Sequence, residues 1–63
     1  MAYSLYEASA INRFAETYLN TGCDEDEAYE VAKNTYDREY ASCQNENIAV
    51  ERLYFEMERY RDM

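Results

Sequence analysis

Between residues 5 and 20 the apolar positions Ala8, Ile11, Ala15, Tyr18 and Leu19 recur at spacings of three and four, with Leu5 and Phe14 flanking the same stripe. Ser9, Arg13, Glu16 and Asn20 take the other side. An apolar and a polar side at this period predict an amphipathic helix. The segment SLYE opens it. Ser4 followed three residues later by Glu7 has the spacing of a capping box, in which each side chain satisfies a backbone N–H that the helix leaves unpaired. Gly22, the only glycine, follows at once and suits a left-handed stop. The first helix is therefore expected over about residues 5–20.

The pattern restarts in TGCDEDEAYEV, residues 21 to 31. Ala28, Tyr29, Ala32, Tyr36, Tyr40 and Cys43 fall on one helical face, which predicts a second helix over about 24–43. Asp24 and Glu27 repeat the capping-box spacing with Asp as the cap. Acids in a first turn also face the positive end of the helix dipole. The acidic block is thus, first of all, a helix start. Residues 44–47, QNEN, are polar but hold neither Gly nor Pro, and Asn45 or Asn47 can cap a third helix. Val50, Leu53, Tyr54, Met57 and Tyr60 share a face, with Ala49 at its edge, and place that helix over about 47–61.

A second count of the same residues competes with this one. Tyr29, Tyr36, Cys43, Val50 and Met57 hold one position of a seven-residue repeat without a gap, whereas Glu39 and Glu46 interrupt the Ala32, Leu53, Tyr60 series. The expected fold is all-α, a small three-helix bundle forming one acidic domain over residues 1–63. The alternative is a helical hairpin whose long C-terminal helix dimerises. The two glutamates favour the bundle, because they break the seam where a turn would fall.

Composition makes the core look thin. Leu, Ile, Val and Phe number nine in 63 residues, about 14% of the chain, and the net charge is −8. Low apolar content with high net charge leans toward disorder. Eight tyrosines oppose that tendency, each bringing a large apolar ring with a polar tip. They predict a folded chain that gains stability from a partner or a second copy.

Charge narrows the partners. Fourteen acids against six bases, with no basic run, make free nucleic acid and anionic membranes poor ligands. No apolar run approaches the ~18 residues that span a bilayer, and no secretory leader is evident at the start, so the expected location is cytoplasmic. Cys23 and Cys43 sit near opposite ends of the second helix, roughly 30 Å apart at 1.5 Å per residue. A disulfide needs Cα atoms within about 7 Å, so the two cannot pair within one chain.

Catalytic chemistry has few carriers here. Histidine is missing, one glycine cannot build a phosphate-cradling loop, and two distant cysteines do not make a zinc site. DEDE lacks the spaced acids and sixth-position glycine of a calcium loop. Neither an enzyme nor a cofactor is expected.

Two constellations remain. On the second helix Asp26, Glu30 and Asp37 form a stripe at i, i+4 and i+11, headed by Asp24, Glu25 and Glu27. Such a stripe can imitate phosphates and occupy a basic groove on a larger protein, or it can serve only as a solvated face. Duplex DNA carries a charge every ~1.7 Å, hence roughly 18 over 30 Å, so this chain matches a short run of phosphates and not a full duplex. On the third helix Ile48, Arg52, Phe55 and Arg59 stand at i, i+4, i+7 and i+11, off the main apolar face, at the spacing of helix-in-groove recognition. Aromatic and Arg residues are enriched at binding hot spots. The competing reading buries that helix on a wider arc, with local pairs to Glu51 or Glu56. Tyr3 and Tyr6 stand where they can extend either surface.

In composition the chain resembles the tiny, acidic, helical early proteins and the anti-restriction and anti-CRISPR inhibitors of bacterial viruses. That likeness implies an inhibitor or adaptor that binds a larger nucleic-acid-binding protein. The alternative is a structural module that associates with itself.

Overall fold

The computed structural model describes residues 2–62, which form α1 (Leu5–Tyr18), a 3-10 turn (Leu19–Thr21), α2 (Glu25–Cys43) and α3 (Glu46–Arg61). The three-helix reading holds and the single long helix does not. Gln44 takes a left-handed conformation, φ 52° and ψ 36°, and its N–H closes the last turn of α2 on the Tyr40 carbonyl. One residue later the Asn45 side chain accepts from the Ile48 N–H and starts α3. A left-handed stop followed directly by an N-cap reverses the chain in two residues.

The other ends arise from equally local chemistry. Both halves of the Ser4–Glu7 box form: the Ser4 hydroxyl accepts from the Glu7 N–H, and Glu7 Oε1 accepts from the Ser4 N–H at 2.8 Å. Helix α1 gives way to 3-10 geometry over its last expected residues, and Gly22 at φ 96° ends the turn. Asp24 caps α2 through the Glu27 N–H at 2.8 Å, making only the forward half of the box expected there.

Contacts at the helix ends set the topology. Ser4 meets Glu46 at the start of α3, and the Asn20 side chain donates to the Tyr60 carbonyl near the end of α3, so α1 and α3 run parallel. Tyr3 and Glu7 meet Asp37 and Tyr36 in the second half of α2, which therefore runs the other way. The bundle is up-down-up and measures 31 × 21 × 17 Å.

Its core joins Ile11, Phe14, Tyr36, Val50, Leu53 and Met57 to the alanines 10, 15, 28, 32 and 49. Five buried alanines mean that the helices approach closely, with little side-chain entropy lost where they touch. At one end Phe14, Tyr18 and Tyr60 cluster, the Tyr18 and Tyr60 rings edge to face at 4.9 Å. At the other, Tyr3 stands edge to face on Tyr36 at 5.9 Å.

The expected stripes need correction at their margins. Leu5 is 91% exposed because Ala10 and Phe14 rotate the buried face of α1 away from it. Tyr29, Tyr40 and Tyr54, expected on the apolar faces, are exposed, while Thr35, absent from the expected face of α2, is buried. Cys23 and Cys43 are free thiols, each only partly buried.

Candidate functional site

Helix α2 turns Ala28, Ala32, Thr35 and Tyr36 inward. At 100° per residue this sends Asp26, Glu30 and Asp37 outward on the opposite side, and all three are exposed, as are Asp24, Glu25 and Glu27. Asp24, Asp26, Glu27 and Glu30 line a shallow depression with Val31 and Asn34. Two members of the block have structural work inside the chain. Asp24 is the α2 cap, and Asp37 accepts a 2.9 Å hydrogen bond from the Tyr3 hydroxyl.

The ion pairs among the described residues are Arg52–Glu39 at 3.7 Å, Arg59–Glu56 at 3.6 Å and Arg61–Glu58 at 3.2 Å. None of them uses an acid of the 24–37 block. Lys33, on the same helix, lies over the Tyr29 ring at 5.0 Å.

Helix α3 buries Ala49, Val50, Leu53 and Met57. Ile48 and Phe55 lie on the far side, 44% and 71% exposed, so the wider buried arc is not what this helix adopts. Ile48, Arg52 and Phe55 share a shallow concavity with Glu39, Glu51 and Glu56, and Arg59 continues the stripe at the surface. The partner of Arg52 is Glu39 on α2, not a neighbour on its own helix. Glu39, which interrupts the heptad series, thus ties α2 to α3 beside the stripe.

A third feature escaped the sequence. Glu7 Oε2 accepts from the Tyr36 hydroxyl, while the Ser4 hydroxyl, already an acceptor for the Glu7 N–H, donates to Glu46. This polar knot joins all three helices. The Ser4 backbone N–H and the Tyr36 hydroxyl hold the Glu7 carboxyl below the usual range. Burial, then the nearby Glu7 carboxylate, raises the Tyr36 phenol well above its ordinary value. Burial and the hydrogen bond to Asp37 push Tyr3 up to about 12. The capping spacing revealed Glu7 and the helical period revealed the Tyr36 ring, but neither signal pairs a cap carboxylate with a phenol 29 residues away.

Tyr3 is accordingly pinned to Tyr36 and Asp37, whereas Tyr6 remains exposed. Among the described residues no group of three or more Cys, Asp or Glu is placed to hold a metal ion, and no helix is long and apolar enough to cross a membrane. The chain matches no protein-family model, no curated protein and no solved structure.

Proposed function

We propose that this chain is a small acidic protein-binding protein, an inhibitor or adaptor that docks on a larger, basic nucleic-acid-binding protein through the outer face of α2. One observation carries the reading. Asp26, Glu27 and Glu30 project from one side of α2, while the ion pairs among the described residues gather on α3 and Glu39. Negative charge left without a counter-charge attracts a basic surface from a distance and accelerates encounter. The stripe from Asp26 to Asp37 spans about 17 Å of the helix, the length of a short run of phosphates.

Blocking is the mechanism: the acidic face fills part of the groove that nucleic acid would enter. An origin in a bacterial virus, a role of the anti-restriction or anti-CRISPR kind and a place of action in the cytoplasm belong to the same reading. A self-associating module is the second reading, favoured by the exposure of Phe55.

Capture from a bacterial lysate tests the proposal, with the wild-type chain and Asp26→Lys/Glu30→Lys as baits. Asp24 and Asp37 are left intact because each holds the fold. The wild type should retain basic nucleic-acid-binding proteins at about 0.1 M salt and release them at about 1 M, where the screening length shrinks to about 3 Å. A duplex oligonucleotide should elute the same proteins. Capture that is equal with the double variant and insensitive to salt removes the proposal.

A further inference from the structure

The exposed stripe of α3 carries its own description of what covers it. Ile48 and Phe55 are seven residues apart and mark the centre of the outward face. Glu51 and Glu58 also stand seven apart, about 50° to one side of that line, and Arg52 and Arg59 lie about 50° to the other. The Arg52–Glu39 pair shows that the arginine flank is the one toward α2. An apolar centre with an acidic and a basic edge is complementary to itself in one orientation. When two such helices pack in parallel about a twofold axis along their length, the acidic edge of each meets the basic edge of the other. Arg52 then comes beside Glu51 of the second copy, and Arg59 beside its Glu58. An antiparallel pair sets acid against acid and base against base.

We infer that the α3 stripe is the interface of a parallel homodimer, with Phe55 packed on Phe55 and Ile48 on Ile48 across the axis. The arginine stems add apolar cover at the edges. Arg52–Glu39, Arg59–Glu56 and Arg61–Glu58 are solvent-exposed pairs of little individual worth, so these residues can exchange partners at small cost. A single pair of 16-residue helices, about 24 Å long, covers less than the roughly 1,600 Å² of a standard interface. The net charge of −8 per copy opposes contact as well. The dimer is therefore weak and forms with rising concentration. It occupies α3 and leaves the outer face of α2 open, so it stands independently of the proposed docking.

Sedimentation velocity of the full chain from about 10 µM to 1 mM, a range set by weak dissociation constants, reads the association directly. The wild type should pass from monomer to dimer. Phe55→Asp should weaken association at least about tenfold, as loss of a central aromatic anchor does. Arg52→Glu/Arg59→Glu makes both edges acidic, and Glu51→Arg/Glu58→Arg makes both basic. Each double variant alone should stay monomeric and helical by circular dichroism, and an equimolar mixture should recover the dimer. A monomer at every concentration, which leaves the stripe to a different partner, overturns the inference. So does a dimer that survives Phe55→Asp, or a mixture that fails to associate.

Discussion

The buried Tyr36 of α2 donates its hydroxyl to Glu7, the same carboxylate that closes the capping box of α1. One side chain thereby serves a local and a tertiary purpose. Its local bond fixes where α1 begins, and its long-range bond fixes how α2 lies against it. Ser4 extends the connection to Glu46 at the first residue of α3. Helices with so few large apolar residues can pack in several rotations of similar energy. A polar knot that must be satisfied selects one of them.

Removing one partner of that bond should be costly. Tyr36→Phe keeps the ring and its packing but deletes the donor to a carboxylate, so a loss of about 1–2 kcal/mol is expected. In a domain of this size that lowers the thermal midpoint by roughly 4–15 °C. Thermal denaturation followed by circular dichroism measures it, and an unchanged midpoint would show that water replaces the phenol at no cost.

Two limits on pH arise from the same groups. Glu7 ionises below its ordinary value of 4.5, so its contribution is complete above that pH and is lost as the solution is acidified through the lowered value. Tyr3 moves from 10.0 to about 12, and Tyr36 also moves upward. The Tyr3 contribution is complete below about pH 10 and is lost as the pH rises through about 12, and that of Tyr36 also declines once the pH exceeds about 10. Urea midpoints measured across the range should fall at both ends. Tyr36→Phe should flatten part of the alkaline fall, and Tyr3→Phe another part.

Among the described residues two positions take a left-handed backbone, Gly22 and Gln44, and of these Gly22 alone is the residue that suits it. Gly22 stands at φ 96° with nothing within 4 Å of the place a Cβ would take, so Gly22→Ala meets backbone strain alone and should cost about 1 kcal/mol. Gln44 stands at φ 52° and already bears that strain. Gln44→Gly should relieve it, against some loss of unfolded-state restriction, for a net gain of about 0.5 kcal/mol. Opposite shifts of the thermal midpoint in these two variants would confirm the pair.

Gln44 also explains why the sequence left a choice between two helices and one. A glutamine at a helix stop has no signature of its own, so only a capping residue, Asn45 or Asn47, and the misplaced glutamates spoke for a turn. Those glutamates are explained by partners the sequence does not display: Glu39 pairs with Arg52, and Glu46 accepts from Ser4. The starts at Ser4 and Asp24 were legible because an N-cap is a contact between residues three apart, whereas the third was left between Asn45 and Asn47 until the structure placed it at Asn45. The outward places of Asp26 and Glu30 were legible from helical period. The same period set Ile48 and Phe55 off the main face of α3 but left a wider buried arc open, and only their exposure decides between the two. The margins were not, since whether Leu5 or Ala10 faces inward depends on how α1 is rotated against its neighbours.

The acidic block can be separated into members that hold the fold and members free to hold a partner. Asp24→Ala removes the α2 cap and should cost about 1 kcal/mol. Asp26→Asn and Glu30→Gln remove charge without touching a cap bond. Asp26, in the first turn, faces the helix dipole, so its loss should cost only a few tenths of a kcal/mol, and Glu30, a turn further on, should matter less. Capture of basic proteins should show the reverse order, falling with Asp26→Asn/Glu30→Gln and surviving Asp24→Ala at a temperature where that variant is fully helical. Denaturation and capture measured on the same preparations distinguish the cases. If the two quantities fall together in every variant, the acids act only through stability, and the outer face of α2 is a solvated surface.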